Sequence, residues 1–268
     1  MPAFRQSGAL VFGVLFCLCL SLSSPASPLC PAAGVTESAV VHSVTDGDTL
    51  RLEDGRKIRL IGINAPEIAH DHRPAEALGN DAKSALYRLL APSRNRIGLQ
   101  YGSERFDKYQ RTLAHVYLTD GSSVQAAMLE LGMATAFTTP PNASNSDCYQ
   151  AAEHLALQQQ RGIWARPEYQ PKTSNQLSAS DDGFRRLRGR VSRIDRARNG
   201  MRIMLGEKIK IYIAANDLLY FPQPWLEKLP GKQLEIRGWL HADQHQFFMQ
   251  LRHPAAITLL EPNVAAVK

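Results

Sequence analysis

The chain has no apolar run long enough to cross a bilayer. The one at its N-terminus, Gly8 to Leu20, falls short of the roughly 20 residues that a spanning helix requires. Arg5 precedes this run, and Ser21-Leu22-Ser23-Ser24-Pro25-Ala26-Ser27 follows it. That pattern predicts a secretory signal peptide over residues 1–26, cleaved after Ala26, and hence an exported protein without a membrane span. An uncleaved membrane anchor is the alternative. Cysteine is also scarce, with four in 268 residues. Pro28-Leu29 before Cys30 lacks the usual small residue of a lipoprotein cleavage site, so none of Cys17, Cys19 and Cys30 sits in a convincing lipoprotein motif. Signal cleavage removes Cys17 and Cys19 and leaves Cys30 and Cys148, which in an oxidising compartment invite one disulfide; two unlinked thiols are the other possibility. No sign of charge dominates. Lys+Arg number 31 against 25 Asp+Glu, for a net charge of +6 and a pI near 9.2. This balance suits a polyanionic partner without requiring one. With 44% hydrophobic residues, the chain can bury two small cores or one larger one.

What the chain does contain is a dense chemical segment. Asp46-Gly47-Asp48-Thr49 is followed, after a short hairpin, by Arg59-Leu60-Ile61-Gly62-Ile63-Asn64-Ala65-Pro66-Glu67. Hard divalent cations such as Ca²⁺ prefer oxygen ligands, and Asp48 with Asn64 supplies part of such a shell. Arg59 offers a planar fork of donors that can clamp phosphate and stabilise growing charge. Glu67 follows a proline that stiffens its loop, and is a candidate to orient or deprotonate water. A second guanidinium, Arg111, closes Asp107-Lys108-Tyr109-Gln110-Arg111. Each piece alone has a plainer reading: Asp46-Gly47 as a hairpin turn, Arg59 as one exposed charge on a strand, and Lys108 to Arg111 as a solvated basic loop.

In order and spacing, these motifs resemble the staphylococcal-nuclease-like family, also called the thermonuclease family, from about Val40 to Trp164. The resemblance implies a five-stranded OB-type barrel with about three helices, and Ca²⁺-dependent hydrolysis of DNA and RNA. It also implies the roles: Asp48 as a metal ligand, Arg59 and Arg111 on phosphate, Glu67 in catalysis. Asp46 would support the ligands from behind, while Lys108 and Tyr109 would contact neighbouring phosphates. The sequence departs from the family pattern at three positions. Asn64 replaces a second metal-binding aspartate, so weaker metal binding is expected. Gln110 stands where glycine is usual. Phe137 stands where a tyrosine is usual, in a segment resembling the family's base-stacking stretch.

Hydrophobic periodicity predicts strands at Ala39 to Val44, Thr49 to Glu53, Lys57 to Ile63, Ile97 to Tyr101 and Thr112 to Leu118. Helices are expected at Pro74 to Leu90, Ser123 to Leu131 and Asp147 to Gln160, with Trp164 as a core plug. The catalytic domain is placed at residues 36–166. His70-Asp71-His72 reads as a polar loop beside the site, with transition-metal binding as its alternative; His42 and His115 read as packing or surface residues. Residues 167–183, rich in Pro, Ser, Gln and Asn, read as a linker. Residues 184–263 carry short strand candidates at Leu187 to Ile194, Met201 to Leu205, Lys208 to Ile213, Gln233 to Leu240 and Gln246 to Leu251, the last extended by Ile257 to Leu260. A short helix is expected at Asp217 to Leu226. The fold class is therefore mainly β with helices: an OB-type barrel followed by a second, smaller OB-like barrel. The arginine run from Arg185 to Arg198 is either a phosphate-tracking stripe or solvated surface. Tyr212, Phe221, Trp225, Trp239, Phe247 and Phe248 read mostly as core, with a stacking platform among them as the alternative. The leading expectation is an exported Ca²⁺-dependent nuclease acting on nucleic acid, with no stable protein partner. A noncatalytic nucleic-acid-binding module and an envelope interaction protein are its rivals.

Overall fold

The computed structural model describes residues 30–32, 34–70, 74–242 and 246–260. The signal segment, Asp71 and His72 lie outside the described residues. The first half contains β1 (Glu37–Val44), β2 (Thr49–Leu52), β3 (Lys57–Leu60), β4 (Ile63–Asn64), α1 (Gly79–Leu90), β5 (Arg96–Phe106), β6 (Thr112–Tyr117), α2 (Val124–Glu130), β7 (Thr135–Ala136) and α3 (Ser146–Gln158). Five of these strands close a barrel in the order β1-β2-β3-β6-β5, with β3 and β6 parallel and β5 returning antiparallel to β1. The alternation that marks the strands also sorts their faces: Leu50, Leu52, Ile58 and Leu60 point into the core, whereas Arg51 is exposed and Arg59 is half-buried. Ala82, Ala85, Leu86 and Leu90 bring one face of α1 onto that core, and each fully buried leucine contributes about 2 kcal/mol. Ser123 caps α2 by accepting from the Ala126 amide at 3.2 Å. Cys30 and Cys148 are joined by a disulfide, with Cα atoms 5.6 Å apart, which ties the N-terminal segment to the first turn of α3.

The second half contains β8 (Gly183–Ala197), β9 (Gly200–Leu205), β10 (Ile209–Ala214), α4 (Gln223–Leu226), β11 (Gln233–Ala242), β12 (Phe247–Leu251) and β13 (Ile257–Leu260). It too closes a five-stranded barrel, because β12 pairs both with β10 in parallel and with β11 antiparallel, while β8 joins β9 to β11. The connectivity, 1-2-3-5-4 with strands 3 and 5 parallel, is that of the first barrel. The chain is thus mainly β, two closed barrels with a few helices, each barrel around its own apolar cluster.

Several elements differ from the periodicity. The stretch Lys57 to Ile63 breaks at Ile61-Gly62, so that Ile63 and Asn64 leave the barrel and pair with Ala136 and Thr135. Helix α1 starts at Gly79 rather than Pro74, because Leu78 adopts a left-handed φ of 68° and residues 74–78 form a loop. β13 pairs with β11 instead of lengthening β12. Asp217 to Leu226 divides into a single helical turn, Leu218–Tyr220, and the short α4.

The two barrels are held together at a seam. Between them, Lys172 exchanges backbone hydrogen bonds with Arg186 and Arg188 at 2.9 and 2.8 Å, and Asp181, 4% exposed, pairs with Lys172 and caps the turn at Ser178. Trp164 is 1% exposed and stacks under the Arg186 guanidinium, whose Cζ lies 5.2 Å from the ring centroid. Glu153 of α3 forms an ion pair with Arg237 of β11, both largely buried. Phe137, just beyond β7, meets Phe184 of β8 edge to face at 6.2 Å.

Candidate active site

One end of the first barrel gathers the polar residues of the chemical segment. Asp48 precedes β2 and is 4% exposed; its Oδ2 accepts the Ala65 amide at 2.9 Å and lies 3.0 Å from Arg59 Nη2. Asp48 Oδ1 accepts the Thr49 hydroxyl at 3.1 Å, and the Arg111 Nη1 donates to that hydroxyl at 3.5 Å. Thr49 therefore connects the carboxylate to the second guanidinium. Asp46 accepts the Asp48 amide at 2.9 Å and so fixes the turn. The intervening glycine is required by a close approach: a Cβ on Gly47 would stand 2.5 Å from the Ala65 Cβ and 2.8 Å from that of Ala82.

Arg59 is held by its backbone and its tip. In β3 it pairs with Thr49 across β2, and its Nη1 donates to the carbonyls of Leu60 and Ile63 at 2.5 and 2.9 Å. Arg111 is aimed by Asp107, which accepts its Nε at 2.7 Å and the amides of Tyr109 and Arg111 at 2.9 Å. That loop keeps a left-handed residue where glycine is usual: Gln110 has φ 62°. Gln110 therefore carries about 1 kcal/mol of backbone strain. Lys108 and Arg111 both lie over the ring of Tyr109, which is 68% exposed.

Glu67 sits on the loop after Pro66, half exposed. Its backbone is clamped by Glu76: the Glu76 amide donates to the Glu67 carbonyl at 2.9 Å, and the Glu76 carboxylate accepts the Glu67 amide at 3.2 Å. Gly79 lets α1 begin beneath this loop, since a Cβ there would stand 2.2 Å from the Glu67 carbonyl oxygen. Partial burial, and then repulsion from Asp48, Asp46 and Glu76, push the Glu67 carboxyl above its ordinary range, with Arg59 opposing. Burial first, and then Asp48, raise Asp46 as well. The carboxylates of Asp46 and Glu67 and the imidazole of His70 converge within 4.8 Å of one another. Asn64 is buried on β4, with its carbonyl accepting the Thr135 hydroxyl at 3.2 Å. Asp46 and Glu67 repel one another and give oxygen donors of the kind a hard divalent cation takes, with one nitrogen added by His70, whereas Asp48, the predicted ligand, is not part of that group and has both oxygens engaged by Ala65, Arg59 and Thr49.

Arg59 and Arg111 line a cleft of about 350 Å³ with Lys108, Phe137 and Asn142. Arg252 of the second barrel reaches the same cleft and donates to the Pro140 carbonyl at 3.1 Å. Sequence reasoning missed Glu76, Thr49 and Arg252. Glu76 was hidden inside the stretch read as helix, and no local signal marks Arg252. The arginine run is paired in part: Arg186 and Arg188 share Glu235, Arg185 pairs with Asp181, and Arg193 with Asp195, while Arg190, Arg196 and Arg198 make no ion pair among the described residues.

The first barrel is thus of OB type, with carboxylates and two arginines gathered at one end. A family model described as Staphylococcal nuclease homologue matches residues 57–166, a span that includes Arg59, Asn64, Glu67 and Arg111 and begins after Asp46 and Asp48. The chain is 35% identical over 133 residues to Thermonuclease of Staphylococcus intermedius, covering 48% of this chain and 77% of that protein. It is 34% identical over 116 residues to the probable endonuclease LCL3 of Leptosphaeria maculans, covering 41% and 38%. With endonuclease YncB of Bacillus subtilis it shares 31% identity over 128 residues, covering 46% and 60%. The chain belongs to the staphylococcal nuclease family.

Proposed function

We propose that the protein is an exported, metal-dependent nuclease that hydrolyses phosphodiester bonds of DNA or RNA. The observation that carries this reading is the placement of Glu67, with its raised proton affinity, beside Asp48, which hydrogen bonds link to both Arg59 and Arg111. A binding module has no need of a carboxylate facing a phosphate, whereas a hydrolase needs one to handle the proton of water. The names of the relatives, thermonuclease and endonuclease, support the same reading.

Asp48 and Asn64 would hold Ca²⁺, with Asp46 orienting Asp48 through its amide and adding charge. When bound, the cation supplies Lewis-acid polarisation of a phosphate oxygen. Arg59, immobilised by two carbonyls and Asp48, and Arg111, immobilised by Asp107, neutralise charge on the phosphate without having to reorganise during the reaction. Glu67 takes or orients the proton of the attacking water. Lys108 and Tyr109 contact neighbouring phosphates, and Phe137 stacks against a base. Export is supported by the signal-like segment 1–26 and by the Cys30–Cys148 disulfide, which belongs in an oxidising compartment. Among the described residues no helix is long and apolar enough to cross a membrane. Plasmid and RNA degradation, with and without chelator, tests the reading. Loss of both activities on chelation is expected, and degradation indifferent to chelator overturns the metal dependence.

A further inference from the structure

Two features of the second barrel have no role in the site just described. The first is a cavity of about 330 Å³ at the seam, lined by Phe137, Trp239, Leu240, Leu251, Arg237 and Arg252 among others. It adjoins the catalytic cleft, because Phe137 and Arg252 line both. Its charged lining includes two arginines and Asp182, which accepts the Ala242 amide at 3.3 Å. Arg237 is paired with buried Glu153, and Arg252 Nε lies 3.4 Å from Asp217. Such a cavity suits a flat neutral group better than a phosphate. Phe184, 6% exposed, sits edge to face with both Phe137 and Trp239 at 6.2 and 6.1 Å and so fixes the two rings that line the cavity. His253 also lines it. The Ala255 amide donates to His253 Nδ1 at 3.2 Å, which leaves Nε2 of the neutral ring as a hydrogen-bond donor.

The second feature is a row of outward aromatic rings that starts at the cavity wall. His241, itself a lining residue, stacks on Phe248 at 6.2 Å and 28°, and Phe248 meets Tyr212 at 6.3 Å and 32°. These residues stand on the adjacent strands β11, β12 and β10, on the face opposite the barrel core, while Ile211, Ile213, Phe247 and Met249 point inward. Phe248 is 38% exposed, although burial would have favoured the inner face. The Tyr212 hydroxyl donates to the Asn199 carbonyl at 2.6 Å, which holds the ring in place. Rings inclined to one another by 28° and 32° on a sheet surface, beside a cavity with aromatic walls, offer faces for successive unpaired bases.

We propose that the second barrel carries an aromatic track for single-stranded nucleic acid, running from the catalytic cleft across Phe137 into the seam cavity at Trp239, and on over His241, Phe248 and Tyr212. The backbone is held by the arginines of the cleft, and the bases by the rings of the second barrel. The track makes the enzyme prefer unpaired strands and requires no base sequence. This rests on the nuclease reading only in taking nucleic acid as the substrate.

The test is binding of a fluorescent single-stranded oligothymidylate to the full chain carrying Glu67→Gln, in chelator, with one abasic nucleotide moved stepwise along the strand. Removing a base that stacks should weaken binding about five- to 150-fold at the positions on the track. In Trp239→Ala, and separately in Phe248→Ala, the penalty should vanish at one position each, with circular dichroism reporting that the fold is kept. A uniform small penalty at every position, the same in all variants, overturns the track; if the unmutated protein still degrades plasmid, the nuclease reading survives that result. Abasic penalties in a protein that degrades nothing would support the track and identify a binding module instead.

Discussion

The Glu153–Arg237 pair sets how firmly the two barrels are joined, and its asymmetry makes a quantitative prediction. Glu153 is 4% exposed and has two obligations: Oε1 accepts the Ala136 amide of β7 at 2.7 Å, and Oε2 pairs with Arg237. Glu153→Ala leaves a largely buried guanidinium unpaired and orphans the Ala136 amide. Breaking one side of a buried pair costs about 3 to 5 kcal/mol, and an orphaned amide about 1 to 3 more, so a loss of about 4 to 8 kcal/mol is expected. Arg237→Met removes the cation but leaves the carboxylate its amide, and Glu153→Gln keeps the acceptor but not the charge; each should cost about 3 kcal/mol. The assay is urea unfolding of the three variants, followed by tryptophan fluorescence and circular dichroism. The order Glu153→Ala, then the other two together, is the signature of the two-fold role. Losses below about 1 kcal/mol in all three would refute it, because that is the scale of a solvent-screened surface pair.

Asn64→Asp restores an anionic ligand, so the Ca²⁺ concentration giving half-maximal activity should fall; superimposed titrations would remove Asn64 from the metal site. His115 is buried, and desolvation lowers its imidazole from the ordinary 6.5 to about 4, with Nδ1 held 2.7 Å from the Tyr149 hydroxyl. Its contribution is present above pH 6.5 and lost as pH falls toward 4, by at most about 3 kcal/mol; His115→Gln should flatten that part of the stability profile, and an unchanged profile would refute the assignment. Reduction of the Cys30–Cys148 bridge, which closes a loop with a separation of 118 residues, should lower stability by about 2 to 5 kcal/mol. Mass spectrometry of unreduced, alkylated protein should find no free thiol at either position, and two alkylated cysteines would refute the bridge.

How far the sequence discloses the molecule depends on the range of the interactions involved. Strands β2, β3 and β6 and helices α2 and α3 were visible because each carries its own periodicity, and the chemical residues of the first barrel were visible because their order is a local motif. The start of α1 was not. It depends on the Glu67 carbonyl approaching Gly79, a contact between segments that no window of periodicity contains. The arginine run stays open between a phosphate-tracking stripe and solvated surface for a related reason, since the acids that pair with part of it, Asp181 and Glu235, are supplied by other segments. The aromatics of the second half are expected mostly in the core, yet Phe248 and Trp239 are each 38% exposed, on faces that only the closure of β11 on β12 decides. Arg252 enters the cleft because the barrels dock, which no local pattern encodes.

The central claim is that Glu67 handles the proton of water while Arg59 and Arg111 hold the phosphate. Single-turnover cleavage of a labelled oligonucleotide at saturating Ca²⁺, measured for Glu67→Gln beside the unmutated protein and with affinity determined in parallel, tests it most directly. The account predicts a rate lowered by about 10² to 10⁴ with affinity kept within a few-fold. An unchanged rate, or a loss explained wholly by weaker binding, would contradict it.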